Sequence, residues 1–104
     1  MRGRAEEMSN FDFLYDYREE TTTRFVCILG KSLRRFDLAL MSTNSFFGKK
    51  IVIDLQSGRS AIIGPDDLKE EGYLEHVFKV TEEEAAELAN FLEDIVGTVN
   101  FTDL

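Results

Sequence analysis

The chain has 104 residues, 43% of them hydrophobic and 31% charged, with nine Phe, three Tyr, one Cys and a formal net charge of -8. That length suits one domain with its own core and is too short for two, the composition excludes a disordered chain, and no apolar run approaches the roughly 20 residues of a membrane span. The lone Cys27 rules out an intramolecular disulfide or a cysteine-based metal knuckle and suits a reducing compartment, so a cytoplasmic location with no membrane partner is expected.

Residues 1–10 are polar and aperiodic, which predicts a mobile N-terminal arm and leaves 11–104 as a single α+β domain. "FDFLYDY" sets Phe11, Phe13, Tyr15 and Tyr17 against Asp12, Leu14 and Asp16, a strand pattern with one aromatic face. "TRFVCILG" is apolar throughout Phe25 to Leu29, the signature of a central strand covered on both faces, with Cys27 buried in it. After a turn at Gly30 to Leu33, Phe36, Leu38 and Leu40 alternate with Asp37, Ala39 and Met41 and predict a half-buried strand. "TNSFFG" makes a turn in which one of the two phenylalanines starts the next strand. "KKIVIDLQ" then points Ile51, Ile53 and Leu55 inward and Val52 and Asp54 outward, and Ser57-Gly58 marks a hairpin into "SAIIG".

Pro65 with Asp66 and Asp67 opens a short helix that stops near Gly72. Tyr73 to Val80 fits either a helical turn or an edge strand, and helical spacing favours the turn. "TEEEAAELANFLEDIVG" is the clearest element: Thr81 and Glu84 form a capping box, Ala85, Leu88, Leu92 and Ile95 share one face, and Gly97 suits the stop. The expected fold is an antiparallel β-meander of four to five strands packed against a C-terminal α-helix.

Charge is segregated along the chain. Residues 1–20 carry -3, residues 21–64 carry +5 from seven basic and two acidic side chains, and residues 65–104 carry -10. Such asymmetry fits two halves of one fold that attract each other, or an anion-binding surface. In an up-down meander Lys31, Arg34, Arg35 and Arg59 gather at one sheet end, which makes them the anion-binding candidates, while Arg24, Lys49 and Lys50 gather at the other. Phe46, Phe47, Lys49 and Lys50 are the candidates for a protein interface. Lysines beside exposed rings also suit nucleic acid, but a -8 chain repels a polyanion and the aromatics do not sit in a strand-borne alternation, so no nucleic-acid partner is expected.

Catalytic and metal signals are weak. His76 is the sole histidine, and Glu71 and Glu75 on one helical face are its only companions for a metal-dependent enzyme, short of the ligand count that zinc sites use. Asp37 and Asp54, expected side by side on the outer sheet face, suit solvation better than a carboxylate pair. No cofactor or catalytic residue is assigned.

The stretches "TRFVCILG", "RFDLAL" and "FFGKKIVIDLQSGRSAIIGPDDLKEEGYLEHVFKVTEEEAAEL" resemble a family of small cytosolic proteins of Gram-positive bacteria classed as a domain of unknown function. The resemblance spans approximately Phe13 to Ile95. It implies a cytoplasmic α+β protein and no mechanism. The function expected from the residues is a non-enzymatic interaction module that forms a homodimer and binds a protein partner, the alternatives being an anion or small-ligand-binding regulatory domain and the His76 enzyme.

Overall fold

A computed structural model describes residues 11–96. Four strands, β1 (Thr22–Leu29), β2 (Arg35–Ser42), β3 (Lys50–Asp54) and β4 (Ser60–Ile63), are followed by three helices, α1 (Pro65–Lys69), α2 (Tyr73–Phe78) and α3 (Glu82–Val96). The strands form one antiparallel sheet in the order β1-β2-β3-β4, so the protein is an α+β meander with helices at its C-terminal end. The expected arm at 1–10 and the Gly97 stop lie outside the described residues.

β2 anchors the core. Phe36, Leu38 and Leu40 are at most 3% exposed and pack with Val52, Ile63, Leu74, Phe78, Ala85, Leu88, Leu92 and Val96. α3 starts with the expected reciprocal cap: the Glu84 backbone N–H donates to Thr81 Oγ1 at 3.1 Å, and the Thr81 N–H donates to Glu84 Oε1 at 3.0 Å. Its buried stripe is Ala85, Leu88, Leu92 and Val96, with Ile95 at the stripe's half-buried margin. At α1 the Gly64 N–H donates to Asp67 Oδ2 at 2.8 Å, which satisfies one of the amides a helix start leaves open.

The turn between β1 and β2 is clasped by the terminal helix. Glu87 accepts from the Ser32 backbone N–H at 2.7 Å and from Ser32 Oγ at 2.8 Å. A Cβ on Gly30 would stand 1.8 Å from Glu87 Oε1, so a larger residue there would push the Glu87 carboxylate off its place beside Ser32. In the β3–β4 hairpin Gly58 has φ +80°, the left-handed conformation that glycine adopts without strain.

Three expectations are corrected. Phe11–Tyr17 is not a strand: those residues have no sheet partner among the described residues and are exposed. β1 is an edge strand, not a central one, so Phe25, Cys27 and Leu29 face outward and are exposed, while Val26 and Ile28 pack on the core. In β3 the two faces are exchanged. Pairing of Leu38 with Asp54 and of Leu40 with Val52 sets Val52 and Asp54 on the core face, because cross-strand partners share a face. Val52 is 0% and Asp54 1% exposed, whereas Ile51 and Ile53 are half-buried and Leu55 is 48% exposed. A carboxylate tolerates that position because its polar demand is met locally: Asp54 accepts from the Gln56 N–H and Ser57 Oγ at 3.0 Å each and lies 3.8 Å from Arg34.

Candidate functional site

Because α1, α2 and α3 pack on the Phe36–Leu38–Leu40 face, the opposite sheet face has no layer over it among the described residues. The register places Met41, Ile51 and Ile62 in one row across that face and Phe25, Ala39, Ile53 and Ser60 in the next. Phe25 is 72% and Ile62 39% exposed, and Leu55 continues the apolar surface toward the β3–β4 turn. Between them Ala39 is 3% exposed and Met41, Ile51 and Ile53 are half-buried, so the exposed apolar area is concentrated at Phe25, Leu55 and Ile62; exposed apolar patches of this kind mark candidate interaction sites.

The β2–β3 connection flanks the Met41–Ile51–Ile62 row. Neither Phe46 nor Phe47 starts a strand, since a turn closed by the Lys49 N–H on the Phe46 carbonyl at 3.0 Å precedes β3. Phe47 is left 80% exposed and Phe46 37%. Both lysines turn away to their own partners. Lys49 Nζ lies 3.9 Å from Asp67 Oδ2 with its methylenes over Gly64, and Lys50 Nζ donates to Ser42 Oγ at 2.7 Å. Preceding β1, Glu19 accepts hydrogen bonds from the Thr43 hydroxyl, the Asn44 N–H and the Ser45 hydroxyl. These donors, Thr43 first, hold the Glu19 carboxyl below the usual carboxylate range. Tyr17 Oη shares a 2.9 Å hydrogen bond with Ser45 Oγ.

At the other sheet end the β1–β2 and β3–β4 turns come together as expected, but internal carboxylates occupy two of the four basic candidates. Arg34 lies 3.3 Å from Glu84, 3.8 Å from Asp54 and 4.8 Å from the Phe36 ring centroid, and Arg35 chelates Asp37 at 3.1–3.3 Å. Lys31 and Arg59 are exposed. The Arg34–Glu84 and Lys49–Asp67 pairs join the basic middle of the chain to its acidic end. These two pairs are attraction between two halves of one fold, one of the two readings that the charge segregation fits.

The remaining candidates are separated. Asp37 stands on the outer face and Asp54 on the inner one, so they form no carboxylate pair. The Asp37 carboxyl is held below its ordinary value by hydrogen bonds from Arg35 first, then from Cys27 and Gln56. Cys27 is an exposed free thiol. Gly72, with φ +82°, divides Glu71 from α2, so Glu71 and Glu75 do not share a helical face beside His76. Among the described residues no cluster of three or more His, Cys, Asp or Glu could hold a metal ion, and no helix is long and apolar enough to cross a membrane.

The model of the SAV0927-like family matches residues 14–94. The chain belongs to the SAV0927-like family. No curated protein matches it in sequence. The match takes in all four strands and the three helices up to residue 94.

Sequence reasoning missed the outward residues Phe25, Met41, Ile51, Ile53 and Ile62 of this SAV0927-like sheet. A usable signal was present. β1 and β3 carry apolar side chains at both parities, while a single long helix covers only one face of a four-stranded sheet.

Proposed function

We propose that this protein is a non-enzymatic interaction module that self-associates through the bare sheet face and presents its neighbouring β2–β3 connection, with Phe47, to a protein partner. The observation that carries this reading is the two-row apolar surface of Phe25, Met41, Ile51, Ile53, Leu55 and Ile62 on the face opposite the helices. Symmetric pairing is the simplest use of such a surface, since each copy buries the same patch against the other. Cytoplasmic residence belongs to the same reading, supported by an exposed thiol that suits a reducing compartment and by the resemblance to cytosolic Gram-positive proteins.

Sedimentation velocity between about 1 and 100 µM, the range in which weak dimers dissociate, tests it. The expected result is a wild-type dimer that Ile53→Lys with Phe25→Lys converts to a folded monomer, with Phe47→Ser leaving the dimer intact and weakening capture of the partner. A wild-type chain that stays monomeric across that range overturns the reading.

A further inference from the structure

We propose that Phe11–Tyr17 is a strand donor: the segment adds to the open edge of β1 in a second copy of this chain, and the second copy returns its own segment in the same way. The proposal rests on the self-association reading and names the contact that makes the pairing specific.

The donor has the sequence of a strand without a sheet to join. Its aromatics alternate with period two, yet Phe11, Phe13, Tyr15 and Tyr17 are 61–78% exposed, with only Tyr15 and Tyr17 near each other at 5.7 Å between ring centroids. The acceptor is equally unguarded. β1 pairs with β2 without interruption from Thr22 to Leu29 and, among the described residues, with nothing on its other side. It carries no proline or bulge and a single charge, Arg24, whereas edge strands are ordinarily protected by such devices against pairing with another chain.

Geometry sends the donor to another molecule. Tyr17 and Glu19 are fastened to residues 43–45, beyond the end of β2. Those contacts continue the line of the β1–β2 pairing past Thr22 and Ser42, so the chain enters β1 from beyond its end and not along the open edge of its own β1. Seven extended residues span about 23 Å and eight about 26 Å, so donor and acceptor match in length, while the opposite edge, β4, offers four residues. Charge agrees as well. Residues 11–20 hold four carboxylates and one arginine, and Arg24 is exposed on the acceptor.

Area supplies the remaining argument. The four strands of 8, 8, 5 and 4 residues cover about 400 Å² in plan at ordinary strand spacing and rise, below the roughly 800 Å² per partner of a stable complex. Two exchanged aromatic segments, bound by main-chain hydrogen bonds and ring packing as in other strand additions, add the missing surface.

The test compares the full chain with a Phe13→Pro/Leu14→Pro variant, whose adjacent prolines remove a ladder N–H whichever way the donor faces. Sedimentation is expected to show the dissociation constant raised at least tenfold with an unchanged circular dichroism spectrum. Hydrogen exchange of the wild type is expected to show protection of Phe11–Tyr17 amides that rises with protein concentration and disappears in the variant. A wild-type dimer whose affinity the prolines leave unchanged overturns strand exchange and leaves the sheet-face reading standing. Protection of the segment in a concentration-independent monomer reveals an intrachain hairpin and overturns both.

Discussion

The two faces of the sheet are built from similar residues and have opposite fates. On the inner face Leu38, Leu40 and Val52 lie under three helices and are essentially inaccessible; on the outer face Phe25, Ile53 and Ile62 are equally apolar and carry no layer among the described residues. Strand composition therefore does not decide which face becomes core. Connectivity decides it: every helix follows β4, and the short links at Gly64 and Glu70–Gly72 keep all three on the side where α3 docks. The inner face supplies the core, and the outer face is the one we propose for binding.

Substitutions on the two faces should separate these roles. The largest effect is expected inside: Leu38→Ala or Leu92→Ala leaves a cavity and should cost about 3–4 kcal/mol of unfolding free energy by urea titration. Asp54→Ala strands Ser57, the Gln56 amide and one side of Arg34, and should cost about 3 kcal/mol; an unchanged urea midpoint would contradict the structural role given to this carboxylate. Glu87→Ala opens the clasp on Ser32 and should cost about 1.5 kcal/mol, the loss expected for hydrogen bonds to a charged group. Smallest is Ile53→Thr on the outer face, which should change monomer stability by less than about 1 kcal/mol while weakening self-association.

Acid offers a finer probe of the inner side. The Glu84 carboxyl lies below its ordinary value, chiefly because the Thr81 N–H donates to it and then because Arg34 is near. A folded-state value below the unfolded one stabilises the protein at pH above the ordinary glutamate value of 4.5, and that contribution is lost as pH falls through the folded value. The stability difference between wild type and Glu84→Gln should therefore be full at pH 7 and shrink progressively below about pH 4.5. A difference that does not change down to pH 3 would show that the cap contributes through geometry alone.

Elements with a single decisive pattern were legible from the sequence. α3 announced itself through Thr81, Glu84 and a four-residue stripe, and β2 through a clean alternation around Phe36, Leu38 and Leu40. β3 was not legible by alternation, because "IVIDL" is apolar at both parities and an aspartate reads as outward. The overlooked signal was Ser57, three residues after Asp54, which marks a carboxylate that folds back on its own turn. β1 misled for a related reason: a continuous apolar run fits a strand buried on both sides and equally an edge strand with an exposed docking face. The candidate site was legible only in part. Phe47 is exposed as the turn suggested, but the sheet face beside it depends on which strands become neighbours, and that emerges only from the assembled fold.

The clasp of Glu87 on Ser32 also has a consequence for biosynthesis. The two residues are 55 positions apart, and β2 ends at Ser42, so during translation the first hairpin is complete roughly 2 to 9 s before Glu87 has been polymerised, at 5–20 residues per second. For that interval the meander has two uncovered faces instead of one. The time taken to deliver α3 then sets how long the inner face of the nascent sheet stays uncovered.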